Sequence, residues 1–396
     1  MTAGPTPQTT RASAMTAPSG ATVDRLSPAA TPRLAALDWM RGLVMILMTV
    51  DHASGEFNAG RLMTDGPTLY HAGTPLPAAQ FLTRWMTHLC APTFVFLAGT
   101  ALALSVDRRR AAGEPAAVVD GFLLRRGLLI AALDPLWMSW VLAPGLILFQ
   151  VLYAIGGSLV AMVLLRRIDV RWLAAGALVV VLGGEALIGG ALAASGGTPN
   201  LAVALLLTGG QFGRLVIAYP LVPWLAIMVL GWCFGRVLPT NAPATVARRL
   251  VVAGAAALVL FLAVRGANGY GNLLLPRDDG SIVQWLHVSK YPPSLAYVAL
   301  ELGLMAVVLA AFMARARRNR TAEIPVLLVL GQTALFYYLL HVHLLALGAT
   351  VSGLEHRGGL ASTYVATLAT VAVLYPLCVW YRGYKAAHPT GWPRYV

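Results

Sequence analysis

The sequence predicts an all-α, polytopic membrane protein that crosses a lipid bilayer about ten times. Two observations predict this fold class. Of the 396 residues, 58% are hydrophobic and only 11% are charged, whereas a soluble domain carries roughly 25% charged residues. The arginines also stand in short clusters between long apolar stretches, a pattern typical of the loops that set membrane topology. A soluble fold could not bury so much apolar surface.

Charge and cysteine usage exclude two other classes. The net charge of +13 does not indicate a nucleic-acid partner, because the cations do not form one basic face. Cys90, Cys233 and Cys378 are scattered through apolar segments without a CxxC spacing. We therefore expect neither a disulfide framework nor a bound metal.

The chain divides into three regions. Residues 1–32 are rich in Thr, Ala, Pro and Ser and contain no continuous apolar run, so they predict a disordered cytoplasmic tail and not a signal peptide. Residues 33–385 form the transmembrane domain, and residues 386–396 form a second cytoplasmic tail. No connector is long enough to build a separate soluble domain.

Ten segments are predicted to span the membrane, because each contains about 20 mostly apolar residues. They are approximately 34–54, 79–105, 121–140, 144–165, 172–194, 215–236, 249–266, 294–314, 325–349 and 362–382. The pair at 121–165 is interrupted by Asp134, Pro135 and Pro144, so it fits either two full spans or a re-entrant hairpin.

The connectors alternate in charge. The basic ones contain Arg108, Arg109, Arg110, Arg125 and Arg126; Arg166, Arg167 and Arg171; Arg236, Arg248 and Arg249; and Arg315, Arg317, Arg318 and Arg320. The positive-inside rule places these connectors, and with them both chain termini, in the cytoplasm. The opposite connectors carry few or balanced charges.

The first predicted helix contains four ionisable residues, Asp38, Arg41, Asp51 and His52. Each such group costs roughly 2.5–3.5 kcal/mol inside a bilayer, so each is a functional candidate. His52 follows Arg41 by eleven positions, which is three helical turns plus about 20°, and the rise between them is ~16 Å. One face of this helix therefore offers a cation near the cytoplasmic end and an imidazole near the outer end, with Asp38 on the same face.

Two further histidines are expected at the depth of His52. His88 lies in the second predicted helix, and His341 lies in the ninth, with Tyr338 one turn away on the same face. His71, in the outer connector, could fold over the same place. Each of these histidines could equally be a buried structural group.

This pattern suits acyl transfer. Histidine can take a proton from an attacking amine or hydroxyl, or carry the acyl group itself. Arginine binds phosphate oxygens because it is always charged and forked. Arg41, with Arg125 and Arg126 at the start of the third helix, would hold the phosphates of an acyl-coenzyme A at the cytoplasmic face while the thioester reaches His52. This hypothesis requires Arg41 and His52 to line one cavity.

Several segments resemble known membrane acyltransferases. The stretch RLAALDWMRGLVMILMTVDH (33–52) resembles the first helix of two related groups, the catalytic domain of heparan-α-glucosaminide N-acetyltransferase and the type-three acyltransferases. The resemblance to the first group extends to TRWMTHLCAPTFVFLAG (83–99), YPLVPW (219–224), KYPPS (290–294) and GQTALFYYLLHVHLL (331–345). It therefore covers nearly the whole membrane region.

The resemblance implies a membrane enzyme that transfers an acetyl group from acetyl-coenzyme A to a glycan amine or hydroxyl across the membrane. It also implies a catalytic histidine in the connector after the first helix, where this chain has His71. His52 and His71 are thus both candidates for the catalytic residue, and Asp38, Arg41, Asp51, His88, Tyr338 and His341 are candidates for substrate binding. The Ala-, Gly- and Arg-rich composition indicates a bacterial inner-membrane protein with an envelope or secreted glycan as acceptor.

Two other functions fit a polytopic chain. A secondary transporter or glycan flippase would also have about ten helices and polar groups near mid-membrane, but it often shows paired repeats, and none is found here. A non-enzymatic scaffold would leave the intramembrane charges and histidines unexplained. Histidines clustered at one depth favour a reaction site.

Overall fold

The computed structural model describes residues 1, 2, 4, 32–318, 324–388, 391, 393 and 395. Nearly all of the predicted N-terminal tail, Arg320 in the loop before the ninth predicted span, and five of the eleven residues of the predicted C-terminal tail lie outside these residues. The described chain is mainly helical. Its α-helices are α1 (Pro32–Phe57), α2 (Ala78–Trp85), α3 (Cys90–Ala111), α4 (Ala116–Leu133), α5 (Ser139–Leu142), α6 (Val151–Leu165), α7 (Val170–Ala194), α8 (Leu201–Val203), α9 (Leu221–Val237), α10 (Pro243–Ala267), α11 (Ile282–Leu286), α12 (Leu295–Arg318), α13 (Pro325–Gln332), α14 (Ala334–Ser352) and α15 (Leu360–Ala387).

Six helical stretches of the described chain are long and apolar enough to cross a membrane. They are Ala78–Ala111, Val170–Ala194, Pro243–Ala267, Leu295–Arg318, Ala334–Ser352 and Leu360–Ala387. The helices α6 and α9 are apolar but shorter. The predicted helical membrane fold is confirmed, while the count of ten spans and the cytoplasmic location of both termini stay predictions.

Three predicted spans are interrupted. The second separates into α2 and α3, and the ninth separates into α13 and α14 at Thr333. In the third, α4 passes into one π-helical turn, Asp134–Met138, before α5. This turn contains Pro135, which has no backbone N–H to continue the α-helical hydrogen bonds.

A small sheet replaces the start of two predicted helices. Its strands are β1 (Ile147–Phe149), β2 (Gly210–Phe212) and β3 (Leu215–Ile217), in the order β1-β3-β2. β1 pairs in parallel with β3, and β2 pairs antiparallel with it. The predicted helices at 144–165 and 215–236 therefore begin later, at Val151 and Leu221. In the second, Pro220 disfavours helix in the residue before it.

The long helix α1 lies at the centre of the bundle and packs against α3, α12, α13, α14 and α15. Glycine lets two pairs of helices approach to backbone contact. A Cβ atom on Gly42 would lie 2.1 Å from the carbonyl oxygen of Leu327, and one on Gly331 would lie 1.9 Å from that of Asp38. α3 and α9 meet in the same way at Gly99 and Gly231. These contacts fix α1 against α13, which precedes the helix that carries His341.

Candidate active site

His52 is half-buried in the C-terminal half of α1 and lines a cavity of about 680 Å³. We call this space the His52 cavity. Its lining also includes Asp51, Arg61, Lys290, Tyr291 and Tyr338. The small sheet contributes Leu148, Val216 and Ile217 to the same lining.

His52 forms a hydrogen-bonded pair with His341 of α14. Nδ1 of His52 lies 2.7 Å from Nε2 of His341, and the two rings stack with centroids 4.9 Å apart. His341 is completely buried, and its Nδ1 lies 2.8 Å from the carbonyl oxygen of Tyr338 and 3.2 Å from that of Tyr337.

The carbonyl contacts determine which ring nitrogens carry protons. A carbonyl oxygen only accepts, so Nδ1 of His341 is the donor. In a neutral His341, Nε2 then carries the lone pair and accepts from Nδ1–H of His52. This assignment, made from the hydrogen-bond network, leaves Nε2 of His52 unprotonated. An unprotonated imidazole nitrogen can take a proton or attack a carbonyl carbon.

A buried ionic cluster supports the residue next to His52. Arg84 of α2 bonds the carboxylates of both Asp51 and Asp65, and its Nε donates to Asp65 at 2.7 Å. Arg61 bonds Asp51 at 3.3 Å. Burial alone would raise the pKa of Asp65, but Arg84 and His88 outweigh burial and hold this pKa well below its ordinary value. The cluster therefore fixes the loop after α1 on the end of that helix.

A second cavity, of about 270 Å³, is lined by cations. We call it the Arg41 cavity, and Arg126, Gln332 and Lys385 also line it. Arg41 donates to Asp38 at 2.8 Å and to the carbonyl oxygen of Leu97 at 3.3 Å. Gln332 donates to the other oxygen of Asp38 at 3.3 Å. Three cations line this cavity, and the neighbouring acid Asp38 is bonded to Arg41 and Gln332, so the cavity is suitable for an anion such as phosphate.

The sequence hypothesis required Arg41 and His52 to line one cavity, and this requirement is wrong, because the two residues line separate cavities. Tyr338 and Val151 line both cavities, so the two spaces meet at these side chains. The ring of Tyr338 lies 6.1 Å from that of His52 between centroids. Tyr338 thus separates the cationic cavity from the imidazole.

The other predicted residues have different locations. His71 is exposed and is not part of the lining of the His52 cavity. His88 is 1% exposed and is also not part of that lining, and its Nε2 lies 3.3 Å from Asp65. Arg125 is exposed, and its Nε donates to the carbonyl oxygen of Gly121. Arg126, beside it, is the one of the pair that lines the Arg41 cavity.

Sequence reasoning missed several residues of the two cavities and their support. They include Arg61, Asp65, Arg84, Lys290 and Lys385. Arg84 falls inside a predicted span, so the cost of a charge in a bilayer could have identified it. Lys290 belongs to the KYPPS segment, which had no assigned role. Among the described residues, no cluster of three or more His, Cys, Asp or Glu could hold a metal ion.

Comparison with protein families decides what kind of protein carries this site. Residues 33–265 match the family described as heparan-alpha-glucosaminide N-acetyltransferase, catalytic. The chain belongs to this family. Comparison with curated proteins gives no match. Membership of this acetyltransferase family makes the chain a membrane acyltransferase in general terms. The matched range contains Arg41, His52 and Arg126, whereas Lys290, Tyr338 and His341 lie beyond it.

Proposed function

We propose that the protein transfers an acyl group, most simply acetyl, from cytoplasmic acyl-coenzyme A to a glycan amine or hydroxyl on the outer side of a bacterial inner membrane. The observation that carries the proposal is the free Nε2 of His52, which the hydrogen bond to His341 leaves unprotonated. Family membership supports the reaction class.

The Arg41 cavity is the proposed site for the phosphates of the donor. Arg41, Arg126 and Lys385 supply positive charge there, and the basic clusters that predict the cytoplasmic side include Arg126. The rise between Arg41 and His52 along α1 is ~16 Å. In this revised scheme the donor extends through both cavities, and the pantetheine arm of coenzyme A passes Tyr338, which lines both of them.

The acceptor would enter the His52 cavity from the outer side. Its amine or hydroxyl oxygen attacks the carbonyl carbon of the thioester, and Nε2 of His52 takes the proton that the acceptor loses. The carbon–sulfur bond then breaks, and the proton on His52 passes to the departing sulfur. The products are the acylated acceptor and free coenzyme A, and His52 returns to its starting state.

Turnover of the purified full-length protein tests this proposal. Acetyl-coenzyme A would be supplied with D-glucosamine as a probe acceptor, and free thiol and acetylated sugar would be measured together. We expect both products to appear in equal amounts. If the protein neither binds acetyl-coenzyme A nor releases thiol from it, the proposal is wrong, and transport becomes the better explanation of the two cavities.

A further inference from the structure

Lys290 is a buried cation that the transfer scheme does not yet use. It lies in the loop between α11 and α12, is 3% exposed, and lines the His52 cavity. Its backbone N–H donates to the carbonyl oxygen of Asp65 at 2.8 Å, and the N–H of Tyr291 donates to the same oxygen at 3.1 Å. Asp65 is itself held by Arg84. The backbone at Lys290 is therefore attached to the ionic cluster beside α1.

The acids of this cluster are bonded to other residues. Asp51 bonds Arg84 and Arg61, and Asp65 bonds Arg84 and lies beside His88. Among the described residues, no hydrogen bond or ion pair joins the ammonium of Lys290 to an acid, including the buried Glu301. The ring of Tyr291 lies 5.1 Å from this ammonium. Asp51, Asp65 and Glu301 interact electrostatically with this ammonium without bonding it, so its N–H donors remain available at the surface of the cavity.

We propose that Lys290 binds a negatively charged oxygen of the reactants in the His52 cavity. The inference rests on the proposed function, because acyl transfer creates such an oxygen. When the acceptor attacks the thioester, the carbonyl oxygen becomes negative, and this charge returns to the carbonyl bond as the carbon–sulfur bond breaks. An ammonium group fixed in advance stabilises that oxygen without having to reorganise.

The same chemistry has a second source. An acceptor that carries a phosphate or carboxylate would place a permanent negative oxygen against Lys290 when it binds. The first source affects the rate of the chemical step for every acceptor, including water. The second affects only the binding of acidic acceptors.

Lys290→Met tests the proposal, since methionine keeps much of the length of the side chain and removes its charge. Lys290→Arg restores the charge, and Arg357→Met removes an exposed cation from the connector between α14 and α15 as a matched control. Two measurements are made on the full chain. One is kcat and KM for hydrolysis of acetyl-coenzyme A, and the other is calorimetric binding of glucosamine 6-phosphate compared with glucosamine.

If Lys290 stabilises the oxyanion, Lys290→Met lowers kcat by about 10²–10³-fold with KM for acetyl-coenzyme A unchanged. If it binds an acidic acceptor, kcat is kept, and the variant loses the tighter binding of the phosphorylated sugar. Lys290→Arg should recover part of whichever quantity is lost, and Arg357→Met should match the parent in both.

A Lys290→Met protein that equals the parent in both measurements overturns the inference. Should Lys290→Met fail to fold, Lys290→Gln replaces it in both measurements, because glutamine is also uncharged but keeps a polar group. A parent that neither binds acetyl-coenzyme A nor releases thiol from it, with or without glucosamine, would instead contradict the proposed function. The binding comparison would then still report on Lys290, since it requires no turnover.

Discussion

Nδ1 of His52 and Nε2 of His341 lie 2.7 Å apart, although the two residues are 289 positions apart in the sequence. The backbone carbonyl oxygens one turn before His341 fix its protonation, and His341 in turn fixes that of His52. The backbone of α14 thus determines which ring nitrogen of His52 can react.

Replacing His52 tests its role as the proton acceptor. We expect His52→Ala to lower kcat for transfer by about 10²–10⁴-fold while the protein still binds acetyl-coenzyme A, because the Arg41 cavity is unchanged. Transfer and donor binding would be measured on the same purified sample. His71→Ala should keep parental turnover, since His71 is exposed and outside the cavity lining. If only His71→Ala lost turnover, the catalytic histidine would be His71, in the loop after α1, and not His52.

His341 is a positioning residue, and its replacement should affect kcat more than KM. His341→Leu removes the acceptor for Nδ1–H of His52, and the wrong imidazole tautomer can lower kcat by up to about 10⁴-fold. His341→Gln should recover part of the rate, because its amide oxygen can accept the same hydrogen bond. His343→Gln serves as the control, since His343 packs between Trp137 and Trp140. Equal rates for His341→Leu and His341→Gln would contradict the assigned protonation.

Arg125 and Arg126 are neighbours on α4, and a comparison of their variants tests the proposed donor site. We expect Arg126→Gln to raise KM for acetyl-coenzyme A about 10-fold or more, as loss of a charge-assisted hydrogen bond of 1.5–3 kcal/mol would do. Arg125→Gln should leave KM near the parental value, because Arg125 is exposed and outside the cavity lining. Repeating both with acetyl-pantetheine, which lacks the nucleotide phosphates, should abolish the difference. If the difference persists with that donor, Arg126 does not bind phosphate.

Tyr338 should limit the access of water to the thioester, because it lies between the two cavities. We expect Tyr338→Ala to join them, admit water to the thioester and raise the ratio of hydrolysis to transfer. Tyr338→Phe keeps the ring and should keep the parental ratio. Both products would be measured in the presence of glucosamine. An unchanged ratio in Tyr338→Ala would show that Tyr338 does not separate donor from acceptor.

Asp65→Asn should destabilise the chain by about 3–5 kcal/mol, because it removes one partner of a buried ion pair with Arg84. The pKa of Asp65 is lowered in the folded chain, so its contribution is complete above the unfolded value of about 3.9 and is lost as the pH falls below it. The thermal midpoint would be measured at neutral pH. Asp279→Asn, at an exposed acid whose contact with Ser281 asparagine can also make, should leave the midpoint unchanged.

The fold class and the helix that carries the site were predictable from sequence. The apolar character and the ionisable residues of the first span identify α1. A helix rotates by 100° per residue, which places Arg41 and His52 on one face. The separation of their cavities was not predictable, because it depends on Tyr338, which reaches this position only when α14 packs against α1. Likewise, Lys290 looks like an ordinary loop residue until its backbone pairs with Asp65.

Short irregular elements were the other difficulty. β1 and β3 are three residues each and lie 68 positions apart at paired residues such as Leu148 and Val216. Apolar periodicity cannot distinguish so short a strand from the first turn of a helix. The resulting wall of the His52 cavity is therefore a product of tertiary pairing.

The glycine contacts between α1 and α13 have a consequence for how substrates could move. A transporter that works by alternating access rocks one helical bundle against another around a fixed site. Here the backbone of α1 touches that of α13 at Gly42 and Gly331, and α3 touches α9 at Gly99 and Gly231. A rocking motion that separated α1 from α13, or α3 from α9, would therefore have to break contacts between their backbones.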